Sequence, residues 1–265
     1  MRLSALLITL ALPLAACLPA VPPPTGGPAP ASPKLTVAVA ANFRAAAEEI
    51  AALFEQETSV HAGTVVGASG SLASQIIQGA PFDVFLSADM ELPRQLEASG
   101  HAAAGSLQPY AIGRLVLWTP HSAPPELDDA GGLRLLLAPE VKRIAIANPA
   151  TAPYGAATVD MLTYYGYYQK VQAKLVTADS VAQAAQFVQS GAADVAFLAL
   201  SQVREPPLRG TGRIWQPSPT THRSLEQGAV ALTASRWPSQ AAEFLRFLQG
   251  SKAVEILKLH GYGTP

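Results

Sequence analysis

The stretch LTVAVA at residues 35–40, followed by Ala41-Asn42 and the run FRAAAEEIAALFEQE at 43–57, decides the fold. The first six residues are short, mostly apolar and valine-rich, which predicts a buried strand. In the second run Ala46, Ala47, Ile50, Leu53 and Phe54 recur at the helical period and share one face. Asn42 stands between the two, a residue type suited to cap the helix that follows. The same order then repeats. Val60 to Val66 predicts a strand, Gly67-Ala68-Ser69 a turn, and Leu72 with Ile76 the inner face of a short helix ending at Gly79. Asp83 to Leu86 predicts a third strand and Ser87-Ala88-Asp89 its turn, before a helix carrying Leu92 and Leu96 up to Gly100.

A second block reads alike. Strands are expected at Arg143–Ala147, Lys174–Thr177 and Asp194–Leu198, with helices from about Gly155 and over Val181–Val188. Strands alternating with helices imply mostly parallel sheets covered on both faces. The class is therefore α/β, with two doubly wound lobes. The tail adds a strand at Gly228–Thr233 and helices at Ser239–Leu248 and Lys252–Leu259. It has no third block to join, so it is expected to return to the first lobe. Residues 34–112 and 225–265 then form lobe 1, and 113–224 lobe 2. The chain crosses near Ile112-Gly113 and again near Ser224–Gln227, a two-crossover hinge.

Ahead of the fold, Arg2 precedes an apolar run that ends in Leu14-Ala15-Ala16-Cys17, and Cys17 is the only cysteine. That order reads as a bacterial lipoprotein leader over residues 1–16, with Cys17 the lipidated first residue of the mature chain. Leu3 to Ala16 falls short of the roughly 20 apolar residues of a spanning helix. Residues 17–33 carry seven prolines and two glycines and predict an extended tether. The expected location is periplasmic or cell-surface, anchored to a membrane by lipid.

Composition narrows the function. Charged residues are 14% of the 265 and the net charge is −1, which provides no basic field for nucleic acid. The five histidines are scattered, and no nucleophile elbow appears, so hydrolysis has no visible machinery. His61 and His101 read as surface or packing residues, Asp83 and Asp194 as capping or turn residues away from the cleft. No enzyme activity and no cofactor are expected.

Ligands of such sheets bind beyond the carboxyl ends of the strands, where helix N-termini present unpaired amides and a positive dipole end. Ala40-Ala41-Asn42 and Gly67-Ala68-Ser69-Gly70 occupy that place in the first lobe. Ala152-Pro153-Tyr154-Gly155 and Asp179-Ser180-Val181 occupy it in the second. Any one of them is explained by ordinary capping. All four at the same sheet end suggest a site.

Together with these turns, the segments VAVAANF, GASGSLASQIIQGAPFDVFLSAD, YAIGRLVLW, IAIANPATAPYG, SGAADVAFLALSQV and the closing HGYG resemble the periplasmic molybdate-binding proteins of molybdate ABC importers. The resemblance runs from about Leu35 to the C-terminus, and NPATAPYG is its most specific part. It implies a monomeric periplasmic binding protein of type II-like fold that closes on a tetrahedral oxyanion using neutral donors. Molybdate or tungstate is the implied ligand and the importer's permease the implied partner. Ala41, Asn42, Ser69, Tyr154 and the backbone at Val181 are the implied contacts. Any metal is met only through the oxyanion, at Asn42, Ser69, Tyr154 and Val181. Many members carry a tyrosine that reaches the anion at the end of the strand Asp194–Leu198, where this chain has Ala199. It has Tyr154 where those members carry a small residue, and so resembles the branch completed by asparagine and this other tyrosine.

Two rivals share the fold. One is a sulfate or phosphate binder. The other is an iron-binding protein, which needs clustered tyrosinates, but Tyr164, Tyr165, Tyr167 and Tyr168 surround Gly166 late in a helix and read as packing residues. Arg44 is the cation nearest the first turn. It is expected to be a solvated helix residue, since Asn42 already holds the site-facing position.

Overall fold

Residues 33–123 and 131–265 are described by a computed structural model. The leader, Cys17 and the tether up to Ser32 lie outside them. The first strand, β1 (Lys34–Ala40), alternates Leu35, Val37 and Val39 with Thr36 and Ala38, so the two sets point to opposite faces. A short 3-10 turn over Ala41–Phe43 leads into helix α1 (Arg44–Thr58). Then follow β2 (His61–Gly67), α2 (Ser69–Ile77), β3 (Val84–Leu86), α3 (Glu91–Ala98) and β4 (Gln108–Ile112). Gly79 and Gly100, with φ of 87° and 78°, stop α2 and α3 in the left-handed region that favours glycine.

The chain now leaves this sheet. It forms β5 (Leu115–Pro120), α4 (Gly131–Arg134), β6 (Ile144–Ala147), α5 (Pro153–Tyr164), α6 (Tyr168–Val171), β7 (Leu175–Ala178), α7 (Val181–Gln189), β8 (Val195–Ala199), α8 (Leu200–Val203) and β9 (Gly212–Trp215). It returns as β10 (Glu226–Ala231), α9 (Pro238–Leu248) and α10 (Ser251–Leu259).

Two five-stranded sheets result, ordered β2-β1-β3-β10-β4 and β7-β6-β8-β5-β9. Each is mixed. Three strands run parallel (β2, β1, β3 and β7, β6, β8), and one strand then reverses to pair antiparallel on both of its sides, β10 in the first sheet and β5 in the second. The reason is the crossovers. A strand arriving directly from the other sheet enters from the cleft end, opposite to a strand fed by a right-handed βαβ unit.

The first sheet is covered on both faces. Leu35, Val37 and Val39 pack with Phe43 of the 3-10 turn, with Ile50 and Phe54 of α1 and with Phe244, Leu248 and Leu257 of the returning helices. Ala38, Phe85 and Val230 face Leu72, Ile76 and Leu96 of α2 and α3. The core of the second sheet extends across the cleft to Ala40, Ala41, Ala68 and Ala88 of the first. The lobes are thus closed on each other over a strip of alanines. Gly70 N donates to Thr151 O at 2.8 Å and Ser201 Oγ to Asn42 O at 2.9 Å across the same seam.

Both strand-opening aspartates serve the backbone, away from the cleft. Asp83 accepts from Thr36 N (2.7 Å) and Ser235 Oγ (2.6 Å), and Asp194 from the amides of Lys142 and Arg143 (2.8 and 2.7 Å).

Candidate functional site

Four helix starts meet in one cavity between the sheets. Ala41 and Asn42 come from the 3-10 turn before α1, Ser69 from α2, Tyr154 from α5 and Val181 from α7. The structure brings together all five residues picked from the sequence. Ala40, Ala68, Ala88, Ala152, Pro153 and Ser180 complete the wall, so no charged side chain lines it. Only about 10 Å³ is open to the centre of a water-sized sphere, too little for an organic solute. The first amides of an α-helix have no partner inside it, and here four such ends aim at one point.

The donors differ in kind. Ser69 Oγ is 99% shielded with its residue and accepts from Ala88 N at 3.0 Å. That bond fixes the oxygen and leaves its proton free to point at a ligand. Ser180 caps α7, accepting from Gln183 N at 3.3 Å. Glycine at 155 permits the close seating of α5, because a Cβ there would strike the Ala147 carbonyl at the end of β6.

Asn42 needs a correction. It is not the cap of α1: the capping position falls on Phe43 and no side-chain bond is made there. Its side-chain amide instead donates to Gln227 Oε1 (3.1 Å) and Tyr262 Oη (3.2 Å), while Tyr262 Oη donates back to the Asn42 carbonyl at 2.6 Å. Tyr110 Oη donates to the same Gln227 oxygen at 2.8 Å. Both Asn42 amide protons are spent on this web, so the backbone amide is what residue 42 can offer a ligand. Sequence reading gave Gln227, Tyr110 and Ser201 no part in the site, placing Gln227 only at the second crossover. Tyr262 stands inside the HGYG segment, as Tyr110 does in YAIGRLVLW and Ser201 in SGAADVAFLALSQV, and those segments are the local signals available.

Burial pushes the phenols of Tyr110, Tyr154 and Tyr262 above their ordinary range, so each stays protonated. Neutral phenols donate hydrogen bonds but do not supply the tyrosinates of an iron site. Tyr164 and Tyr165 lie at the far end of α5, exposed, stacked edge to face with ring centres 5.2 Å apart. Tyr167 and Tyr168 pack partly against the second core. The packing reading therefore describes two of the four. Among the described residues there is no cluster of three or more His, Cys, Asp or Glu side chains able to hold a metal.

Arg44 is exposed and lines an outer groove with Gln183, Gln186 and Glu205, not the cavity. Asp89 follows the lining residue Ala88 but turns to α3, accepting from Leu92 N at 2.9 Å; burial raises its pKa. The cavity thus has neither a cation to neutralise an anion nor a carboxylate to repel it.

Residues 35–263 match the family model described as bacterial extracellular solute-binding protein. The molybdate-binding protein ModA of Azotobacter vinelandii is 42% identical over 230 residues, 87% of this chain and 90% of its own length. The ModA of Rhodobacter capsulatus is 39% identical, over 88% of this chain and 90% of its own. The solved periplasmic molybdate-binding protein of Azotobacter vinelandii superposes with a TM-score of 0.81 at 37% identity, covering 87% of this chain and 99% of that one. The α/β architecture of two lobes with two crossovers is therefore that of the periplasmic binding proteins, and this chain is a member of the bacterial extracellular solute-binding protein family.

Proposed function

We propose that this protein captures molybdate or tungstate in the cavity between its lobes and delivers it to the permease of an ABC importer. The observation that carries the proposal is the convergence of four helix N-termini on a small cavity with no charged lining. A tetrahedral dianion has four oxygens and no protons near neutral pH. Fixed amide and hydroxyl dipoles replace its hydration shell without competing for a proton. The names of the two relatives support molybdate.

We take residues 34–112 with 225–265 as one lobe and 113–224 as the other, closing about the two crossovers. The contacts are the backbone of Ala41 and Asn42, the hydroxyl of Ser69, and the amides of Tyr154 and Val181. We also infer that the chain acts as a monomer held to a membrane by lipid on Cys17. Cys17→Ser is then expected to leave the precursor uncleaved at this site. Intact-mass analysis of the membrane fraction reads it, and a parent chain with no added lipid mass overturns it.

Selectivity separates this reading from its rivals. Sulfate has the same charge and shape as molybdate but is smaller, so rigid helix ends spaced for molybdate leave it short of one lobe. Each unmade bond to a buried donor costs about 1–3 kcal/mol, and two such losses put sulfate orders of magnitude weaker. Phosphate carries a proton near neutral pH, for which the lining offers no carboxylate acceptor. Competition titrations decide: molybdate and tungstate should bind alike, and displacement of molybdate by sulfate or phosphate at comparable concentration favours the rival anion binder.

A further inference from the structure

Tyr154 does two things in two places. Its backbone stands at the second position of α5, facing the cavity, while its phenol runs back to the crossovers. There a Cβ built on Gly113 would collide with Tyr154 Oη, lie 3.1 Å from Cζ and stand 2.7 Å from Gln227 Nε2. Gly113 belongs to the first crossover, between β4 and β5, and donates to Leu225 O of the second at 2.9 Å. Gln227 follows in β10. The phenol is therefore wedged between both strands that join the lobes.

Glycine at 113 is not required by the backbone, since its φ is outside the left-handed region. It is required by the phenol. Tyr154 Oη and Gln227 Nε2 are also both buried without a hydrogen-bond partner among the described residues. The Arg114 backbone amide, then Gln227 and Asn42, lie near enough to hold down the ionisation of the phenol, but none makes a well-directed bond to it. An unpaired buried polar group in a native structure calls for a reason. At Gly113 the contact is steric, set by the space that the phenol fills between the crossovers.

We propose that Tyr154 is a positioning residue that couples the anion cavity to the crossovers: its phenol, seated against Gly113 and Gln227, sets how far the N-terminus of α5 reaches toward the bound anion. This rests on the anion-binding reading above. A side chain at 113 displaces the phenol, draws back the first turn of α5 and withdraws its amides from the ligand, although residue 113 does not line the cavity.

The test is a double-mutant cycle read by molybdate titration and small-angle scattering on the full mature chain. Gly113→Ala should weaken molybdate at least thirtyfold and blunt the ligand-induced fall in radius of gyration. Tyr154→Phe, which keeps the ring and the amide but removes Oη, should weaken it by less than about fivefold. Added to Gly113→Ala it should restore at least tenfold, as the Gln227 amide moves into the vacated space. Gly63→Ala is the control, since a Cβ there meets nothing closer than 3.6 Å. A double variant no tighter than Gly113→Ala, or a Tyr154→Phe loss as large as that of Gly113→Ala, overturns the coupling. If Gly113→Ala does not fold, recovery of a folded, binding chain in the double variant supports the proposal and its failure to fold refutes it. A parent chain that does not bind molybdate at all fails the anion reading instead, before any variant is compared.

Discussion

The two lobes offer the cavity different chemistry. The first brings a hydroxyl, Ser69, and behind it a web of buried side chains, with Asn42, Gln227, Tyr110 and Tyr262 joined by hydrogen bonds. The second brings the starts of α5 and α7, whose donors are backbone amides, a Ser180 hydroxyl engaged as the cap of α7, and a lining of Ala152, Pro153 and Val181. Side-chain donors can be deleted one at a time. Amides at a helix end persist whatever side chain is attached. The first lobe should therefore be sensitive to substitution at the cavity and the second tolerant of it.

The largest effect falls on the web and not on a contact. Asn42→Ala strands Gln227 Oε1 with one donor fewer, deprives Tyr262 Oη of a donor and leaves a gap among buried groups. At about 1–3 kcal/mol for each disrupted buried group, stability should fall by roughly 2–4 kcal/mol. Denaturant unfolding measures it, with the midpoint shifting at constant slope. Asn42→Asp should be no better, since a carboxylate offers no proton to Gln227 Oε1. An unfolding midpoint equal to the parent's for Asn42→Ala would mean that the web is ornamental and the contrast between the lobes is false.

Ser69→Ala comes next and should act on binding. The Ala88 amide loses its acceptor and the anion loses a donor. A hydrogen bond to a charged group is worth about 1.5–3 kcal/mol, so affinity should drop roughly 10- to 150-fold. Calorimetric titration reads the loss, and Ser69→Thr should recover part of it because the hydroxyl is retained. Parental affinity in a folded Ser69→Ala chain would move the anion away from this turn.

How much of this was legible beforehand follows the range of the interactions. The α/β class came from local alternation: Leu35–Ala40 with its helix, Asp83–Leu86 with its turn. Those elements stand within a residue or two of their expected places. The turns were legible because helix starts are local as well. Of the antiparallel strands only β10 was: β4, β5 and β9 lack alternating helices, and only pairing across the sheet defines them. Asn42 was given a capping role because nothing local competes with it. Its actual partners are 185 and 220 residues away. Likewise Gly113 reads from sequence only as part of the first crossover, and the Tyr154 phenol and Gln227 explain why it is glycine.

A third effect joins the lobes and depends on pH. His260, at the end of α10, faces Glu205 from the second lobe (Nδ1, 3.0 Å) and Glu49 of α1 (Nε2, 2.9 Å), with Arg204 packed beside Gly261. The Glu205 hydrogen bond, helped by Glu49 and opposed by burial, raises its pKa above the ordinary 6.5. A raised value means that the protonated form favours the closed, folded state. The gain is complete below the ordinary value and is lost as pH rises through the raised one. An ion pair of this exposure is worth about 0.2–1 kcal/mol. Molybdate affinity and stability should therefore weaken modestly as pH rises above the ordinary value of 6.5, and His260→Gln should flatten both profiles. A slope that survives in His260→Gln would assign the pH dependence elsewhere.

The smallest effect is expected at Val181, and it is the sharpest check on the contrast. Val181 is buried and opens α7, with its side chain against the second core and its amide at the helix start. Val181→Ala keeps that amide, the Ser180 cap and the dipole of α7, and alanine lowers the conformational cost of the helix. What is lost is two buried methyl groups, which affects stability by about 1 kcal/mol or somewhat more and leaves the donor in place. The affinity loss should stay under about threefold. Val181→Pro removes the amide proton while proline is well tolerated at the first helical position. It should cost far more binding than stability. Titration of the pair against Ser69→Ala decides whether the lobes differ as argued: a Val181→Ala loss as large as that of Ser69→Ala, or a Val181→Pro chain that binds like the parent, would show that the second lobe does not hold the anion by its backbone.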